Sequence, residues 1–197
     1  MSYKQFDKNI SDKHAWAFRR KLGIPPNLQL FVLACMDERL PIQQALGLQL
    51  GDAHIFRNAG GLVTDDALRS AMFSTHFAGT KQIIIINHTD CGMMTKDSNF
   101  FVQQLQQKNI DIESVSLNPQ VSALTLNDQG KNFESWLQMF DDIEAICQQQ
   151  IITLRNSPLI PKDVSIEGYI WDVQNESLQK PYSNKKISTC IANKKEK

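Results

Sequence analysis

The stretch "KQIIIINH", residues 81–88, constrains the fold of this chain more than any other. Successive side chains of a strand point to opposite faces, so four isoleucines in a row leave neither face polar. Such a strand needs cover on both sides, which is the situation of a central strand in a parallel sheet flanked by helices. "LQLFVLAC" (28–35), "AHIFRN" (53–58) and "VSIEGYIWDV" (164–173) read as further strands. Helices are predicted between them. One covers 41–50 with Pro41 in its first turn. A second, over 65–78, is capped by Thr64, has Asp65 and Asp66 at its positive end, and puts Leu68, Met72 and Phe73 on one side. Two more are placed at about 97–108 and, as one long helix, 133–155. "AGGL" (59–62) and "QNESLQ" (174–179) read as turns. The alternation predicts an α/β fold with a central, mostly parallel sheet in a single domain over residues 1–197. Residues 1–27 form an N-terminal helical arm that ends at "GIPPN", 109–132 have no assigned element, and 183–197 form a solvated tail.

Charge narrows the function. Lys plus Arg and Asp plus Glu are both 21, so the formal net charge is zero. That balance favours neither nucleic acid nor an anionic membrane as partner. No apolar run reaches the roughly 20 residues of a membrane span, and "MSYKQFDKNISDKHAW" lacks the apolar segment of a secretory signal. A cytoplasmic, reducing location is the expectation. There the four cysteines, Cys35, Cys91, Cys147 and Cys190, are core residues, ligands or nucleophiles rather than disulfides.

Two short motifs carry chemistry. In "LACMDERL" an apolar strand ends in Cys35, Asp37 and Arg39; in "NHTDCGM" a second strand ends in His88, with Cys91 three residues on. Ligands of parallel sheets gather beyond the carboxyl ends of the strands. If the two strands are neighbours, Cys35, His88 and Cys91 converge. Two thiolates and an imidazole make a Cys2His set, which leaves a fourth position open as catalytic zinc sites do, and which favours zinc over magnesium or calcium. The two sulfurs cancel the charge of the ion, so a neighbouring group must help to orient water. Asp37 is placed to do that, or to become the fourth ligand, and Arg39 would hold it ionised through a bidentate pair if the chain stays extended. Taken singly, each residue also has a plain reading: Cys35 as core, His88 as a capping histidine, Asp37 as a helix cap with Arg39 as its surface partner. The joint pattern is what points to zinc.

"CMDER" and "HTDC" resemble the CxDxR and HxxC motifs of the β-class carbonic anhydrases. The likeness runs through "GDAHIFRNAGG" and "SPLIPKDVSIEGYIWDV", over about residues 28 to 175, and is nearest the small prokaryotic branch. It implies Cys35, His88 and Cys91 as zinc ligands, with Asp37 and Arg39 as a catalytic dyad. It implies reversible hydration of carbon dioxide to bicarbonate and a proton. It also places the backbone N–H of Gly92 near the bound oxyanion and Gln49 beside the substrate, and it implies a homodimer or higher homo-oligomer clasped by the N-terminal arm. Relatives with the same ligands hydrolyse carbon disulfide or carbonyl sulfide, and a non-catalytic zinc-binding homologue is a third reading. His54 and His76 are candidate proton shuttles with a plainer structural reading; Cys147 reads as a buried helix residue and Cys190 as part of the tail.

Overall fold

The structure, a computed structural model, describes residues 17–94, 99–112, 114–116 and 133–181. Most of the arm, most of 109–132, and the tail with Cys190 lie outside the described residues. Among the described residues five strands form one sheet: β1 (Leu30–Cys35), β2 (Ala53–Asn58), β3 (Gln82–His88), β4 (Ser165–Asp172) and β5 (Ser177–Gln179). Their order is β2-β1-β3-β4-β5; the first four are parallel and β5 is antiparallel to β4. The isoleucine strand is therefore central, as its two apolar faces require. Ile83 and Ile85 pack with Phe31, Leu33 and Ile166 against Ala67, Ala71 and Leu154. Ile84 and Ile86 face the other way, with Val32 and Ala34, towards Leu40, Ile42 and Leu48. Each such side chain contributes about 1.5–3 kcal/mol on burial.

Among the described residues five α-helices accompany the sheet: α1 (Ile42–Ala45), α2 (Asp65–Phe77), α3 (Asn99–Gln106), α4 (Phe133–Leu137) and α5 (Ile143–Asn156). Three differ from the sequence reading. The helix expected over 41–50 is a single turn, because Gly47 turns left-handed (φ 65°) and redirects the chain so that Leu48 is buried. The helix at 65–78 buries Ala67, Ala71, Ser74 and Thr75 rather than its larger residues, and Phe73 is 52% exposed. Small side chains let α2 lie close to the sheet. Thr64 occupies the N-cap position, but its hydroxyl donates to Asp66 instead of accepting from the helix. The long helix of 133–155 is broken. Gln138 takes φ 57°, Phe140 forms an isolated parallel bridge with Met94, and Asp142 starts a new helix by accepting from the N–H groups of Glu144 and Ala145. The turn expected at 174–179 holds only to 176, after which β5 closes the sheet edge.

Candidate metal centre

Adjacent parallel strands deliver the first two groups. β1 ends at Cys35 and β3 at His88, and the register pairs Ala34 with Ile86. The "RNAGG" turn lies against both strand ends. A Cβ on Gly61 would stand 2.8 Å from the Cys35 nitrogen and 3.1 Å from the Ile86 carbonyl oxygen, so only glycine fits there. Past His88 the chain turns through Asp90, at φ 55°, and brings Cys91 back. The ligand atoms of Cys35, His88 and Cys91 all lie within 4.8 Å of one another, and all three residues are buried.

The donor set fits one metal ion. The two sulfurs are 3.9 Å apart, close to the roughly 3.8 Å expected when two thiolates share a tetrahedral ion at about 2.3 Å. His88 Nδ1 lies 2.9 Å from the Thr89 carbonyl oxygen. A carbonyl only accepts, so Nδ1 carries the proton and Nε2 presents a lone pair. That Nε2 is fully buried and has no hydrogen-bond partner. Among the described residues only three buried side-chain nitrogen or oxygen atoms are so placed: His88 Nε2, Asn87 Oδ1 and Trp171 Nε1. All three residues lie at the carboxyl ends of β3 and β4, where His88 pairs in register with Trp171. The hydrogen bond from Cys91 lowers Cys35, with burial opposing, and the same bond together with burial raises Cys91. A divalent cation held between them would supply the charge that lets both become thiolates.

Asp37 and Arg39 meet as expected, though through a turn rather than an extended chain. Asp37 Oδ1 accepts from the Arg39 N–H at 2.9 Å, and the Leu40 N–H donates to the Asp37 carbonyl at 3.1 Å. The guanidinium then grips the carboxylate with two hydrogen bonds, Nε to Oδ1 at 3.0 Å and Nη2 to Oδ2 at 2.8 Å. This contact, above all, holds Asp37 well below the usual carboxylate range, against the opposing effect of burial. Asp37 Oδ2 lies 4.0 Å from His88 Nε2.

Two residues at this centre were not read from the sequence. Arg57, paired with Ala34, donates from Nε to the Cys35 carbonyl at 2.9 Å and from Nη2 to the Asp37 carbonyl at 2.5 Å, fixing the ligand-bearing backbone. Its signal was a charged residue at the inner end of an apolar strand. Asp90 binds Arg39 from the other side, at 2.7 Å from Nη1.

Other expected residues fall elsewhere. Gly92 adjoins Cys91 and faces open space. Gln49 is exposed, in a turn with Asp52 just before β2 begins. That is the amino end of the sheet, roughly 17 Å of strand from the centre, so Gln49 does not meet the other groups within one chain. His54 is occupied at both nitrogens, by Ser74 Oγ at 2.8 Å and the Ile24 carbonyl at 2.9 Å. His76 is exposed and bonds the Leu159 carbonyl. Cys147 is buried against β4, and burial pushes its thiol up to about 12, with Glu144 adding to the effect.

The sequence profile of the carbonic anhydrases matches residues 30–178, a span that contains both motifs. The chain belongs to the β-carbonic anhydrase family. Within this family it is 48% identical over 185 residues to a carbon disulfide hydrolase of Acidithiobacillus thiooxidans, covering 92% of each chain. It is 32% identical over 165 residues to β-carbonic anhydrase 1 of Mycobacterium bovis, covering 84% of this chain and 89% of the relative. The apo form of a carbon disulfide hydrolase superposes with a TM-score of 0.73 at 39% identity, over 100% of this chain and 96% of that one. No helix of the described residues is long and apolar enough to cross a membrane.

Proposed function

We propose that this chain is a zinc-dependent hydrolase of carbon disulfide, acting through carbonyl sulfide. Carbon disulfide and water give carbonyl sulfide and hydrogen sulfide; carbonyl sulfide and water give carbon dioxide and a second hydrogen sulfide. The observation that carries this is the 48% identity to a carbon disulfide hydrolase across 92% of the chain, against 32% to the mycobacterial carbonic anhydrase. Hydration of carbon dioxide, which the motifs implied, is kept as a second reading because the family match spans both motifs.

Cys35, His88 and Cys91 would hold the ion. Bound there, zinc makes water at its remaining position acidic enough to act as a nucleophile near neutral pH. Thr89 fixes the ring of His88 through its carbonyl. Asp37 stays ionised on Arg39 and accepts a hydrogen bond from the attacking water, turning the lone pair towards the carbon. Arg39 holds both carboxylate oxygens, so Asp37 orients the water rather than storing its proton. The backbone N–H of Gly92 supports the negative charge that develops on the substrate. Gln49 can contact substrate only in a neighbouring copy, in keeping with a homo-oligomer.

The test compares a zinc-loaded chain on three gases: hydrogen sulfide from carbon disulfide and from carbonyl sulfide, and acid from carbon dioxide. Hydrogen sulfide release is expected, and it should disappear in Asp37→Asn while zinc stays bound. A zinc-full chain that accelerates only carbon dioxide hydration makes this a carbonic anhydrase. One that accelerates none is a non-catalytic zinc protein.

A further inference from the structure

The guanidinium of Arg39 has two edges, and only one serves Asp37. The other is taken by Asp90, which lies between the ligands His88 and Cys91. Arg39 Nη1 donates to Asp90 Oδ2 at 2.7 Å, and Nη2 donates to the Asp90 carbonyl at 2.9 Å. Counting the two bonds to Asp37, four of the five guanidinium N–H groups are engaged, and every acceptor belongs to one of the two ligand-bearing segments. Arg39 thus joins the Cys35 segment to the Cys91 segment without any metal.

The backbone at Asp90 is left-handed, φ 55°. Glycine adopts that conformation most easily, and Asp and Asn are the side-chain residues that tolerate it best. What an aspartate adds over glycine is its carboxylate, and here that group is spent on Arg39. The Arg39 and Asp90 side chains are 45% and 75% exposed, so their ion pair does little for overall stability. Its consequence is orientation. A guanidinium held on one edge can pivot in solvent and take the Asp37 carboxylate with it; held on both, it cannot.

We propose that Asp90 is a positioning residue of this centre, locking Arg39 so that Asp37 keeps a fixed aim. The inference rests on the proposed function only in taking Asp37 to act on water or substrate.

Asp90→Gly removes the carboxylate and eases the backbone; Asp90→Asn keeps an oxygen and the left-handed turn but loses the charge. In zinc-loaded protein, kcat on carbon disulfide is expected to fall roughly 10- to 100-fold in Asp90→Gly, the range of outer-sphere partners. The fall should be smaller in Asp90→Asn, with KM and zinc content unchanged in both. In an Arg39→Lys background Asp90→Gly should add no further loss, since the fork it steadies is gone. A crystal structure of zinc-loaded Asp90→Gly should show Arg39 released from its two-bond grip on Asp37. Unchanged kcat in Asp90→Gly, a full additional loss in the Arg39→Lys background, or loss of zinc overturns the proposal. If the unaltered chain turns over none of the three gases, the proposed function fails and the crystal structure decides alone: an intact Asp37–Arg39 grip in Asp90→Gly overturns the positioning role, and a broken one upholds it.

Discussion

His54 and His88 sit at opposite ends of the same sheet and are handled in opposite ways. His54, where β2 begins, has a partner on each ring nitrogen. His88, where β3 ends, has one on Nδ1, while its buried Nε2 has none. The cysteines divide likewise. Cys147 is wrapped by α5 and β4, whereas Cys35 and Cys91 face each other beside His88. Folding satisfies polar atoms wherever it can, so buried groups left with unused bonding capacity mark where something else is meant to bind. The amino end of the sheet is finished by the chain itself, and the carboxyl end keeps three donor groups together that could hold an ion.

The sharpest way to break this contrast is zinc-induced stabilisation. At a thousandfold excess over its dissociation constant, a ligand adds about 4 kcal/mol, or roughly 10 °C in Tm for a chain of this size. That shift should vanish in His88→Ala, Cys35→Ser and Cys91→Ser. It should survive in His54→Ala and Cys147→Ser, whose own losses, about 1–3 kcal/mol, appear in the metal-free baseline. A zinc shift that persists in His88→Ala would falsify the assignment.

Two glycines extend the comparison at smaller magnitude. Gly61 supports the Cys35 end of β1, and Gly168 gives room to Cys147, whose sulfur would lie 2.6 Å from an added Cβ. Alanine at either position should cost about 1–3 kcal/mol through overpacking, read by denaturant unfolding. Only Gly61→Ala should also weaken zinc binding, because its Cβ meets ligand backbone. Equal zinc affinity in the two variants would show that the "RNAGG" turn does not set the position of Cys35.

The smallest effect concerns pH. Burial raises Cys147 from the usual 9.0 to about 12. The folded chain therefore keeps a proton that the unfolded chain gives up, and this contribution is complete below pH 9 and declines as pH rises towards 12. By pH 10 the loss is on the order of 1 kcal/mol, one unit's worth. Cys147→Ala should flatten the stability curve in that window, measured as the midpoint of urea unfolding from pH 8 to 10.5. The same slope in both chains would mean that Cys147 exchanges protons with solvent while folded.

What could be read in advance follows from how local each signal is. The isoleucine run fixed a central strand because four adjacent residues left no other arrangement. The convergence of Cys35, His88 and Cys91 was legible because strand ends in a parallel sheet share an edge, so CxDxR and HxxC could be brought together without knowing any distance. Asp90 and Arg57 were missed because each acts through a partner distant in sequence: the aim of one depends on a left-handed turn, that of the other on the β1–β2 register. The break within 133–155 was hidden for a different reason. Apolar residues keep helical spacing on both sides of Gln138, so periodicity alone merges α4 with α5. The capping residue Asp142 was the available clue.

One detail bears on how such a centre withstands mutation. The atom that fixes which nitrogen of His88 stays bare is the main-chain oxygen of Thr89, not a side chain. No codon change at position 89 can delete a carbonyl. The chemical state of the ring is thus inherited with the backbone, and the residues around it are free to drift without unmaking it.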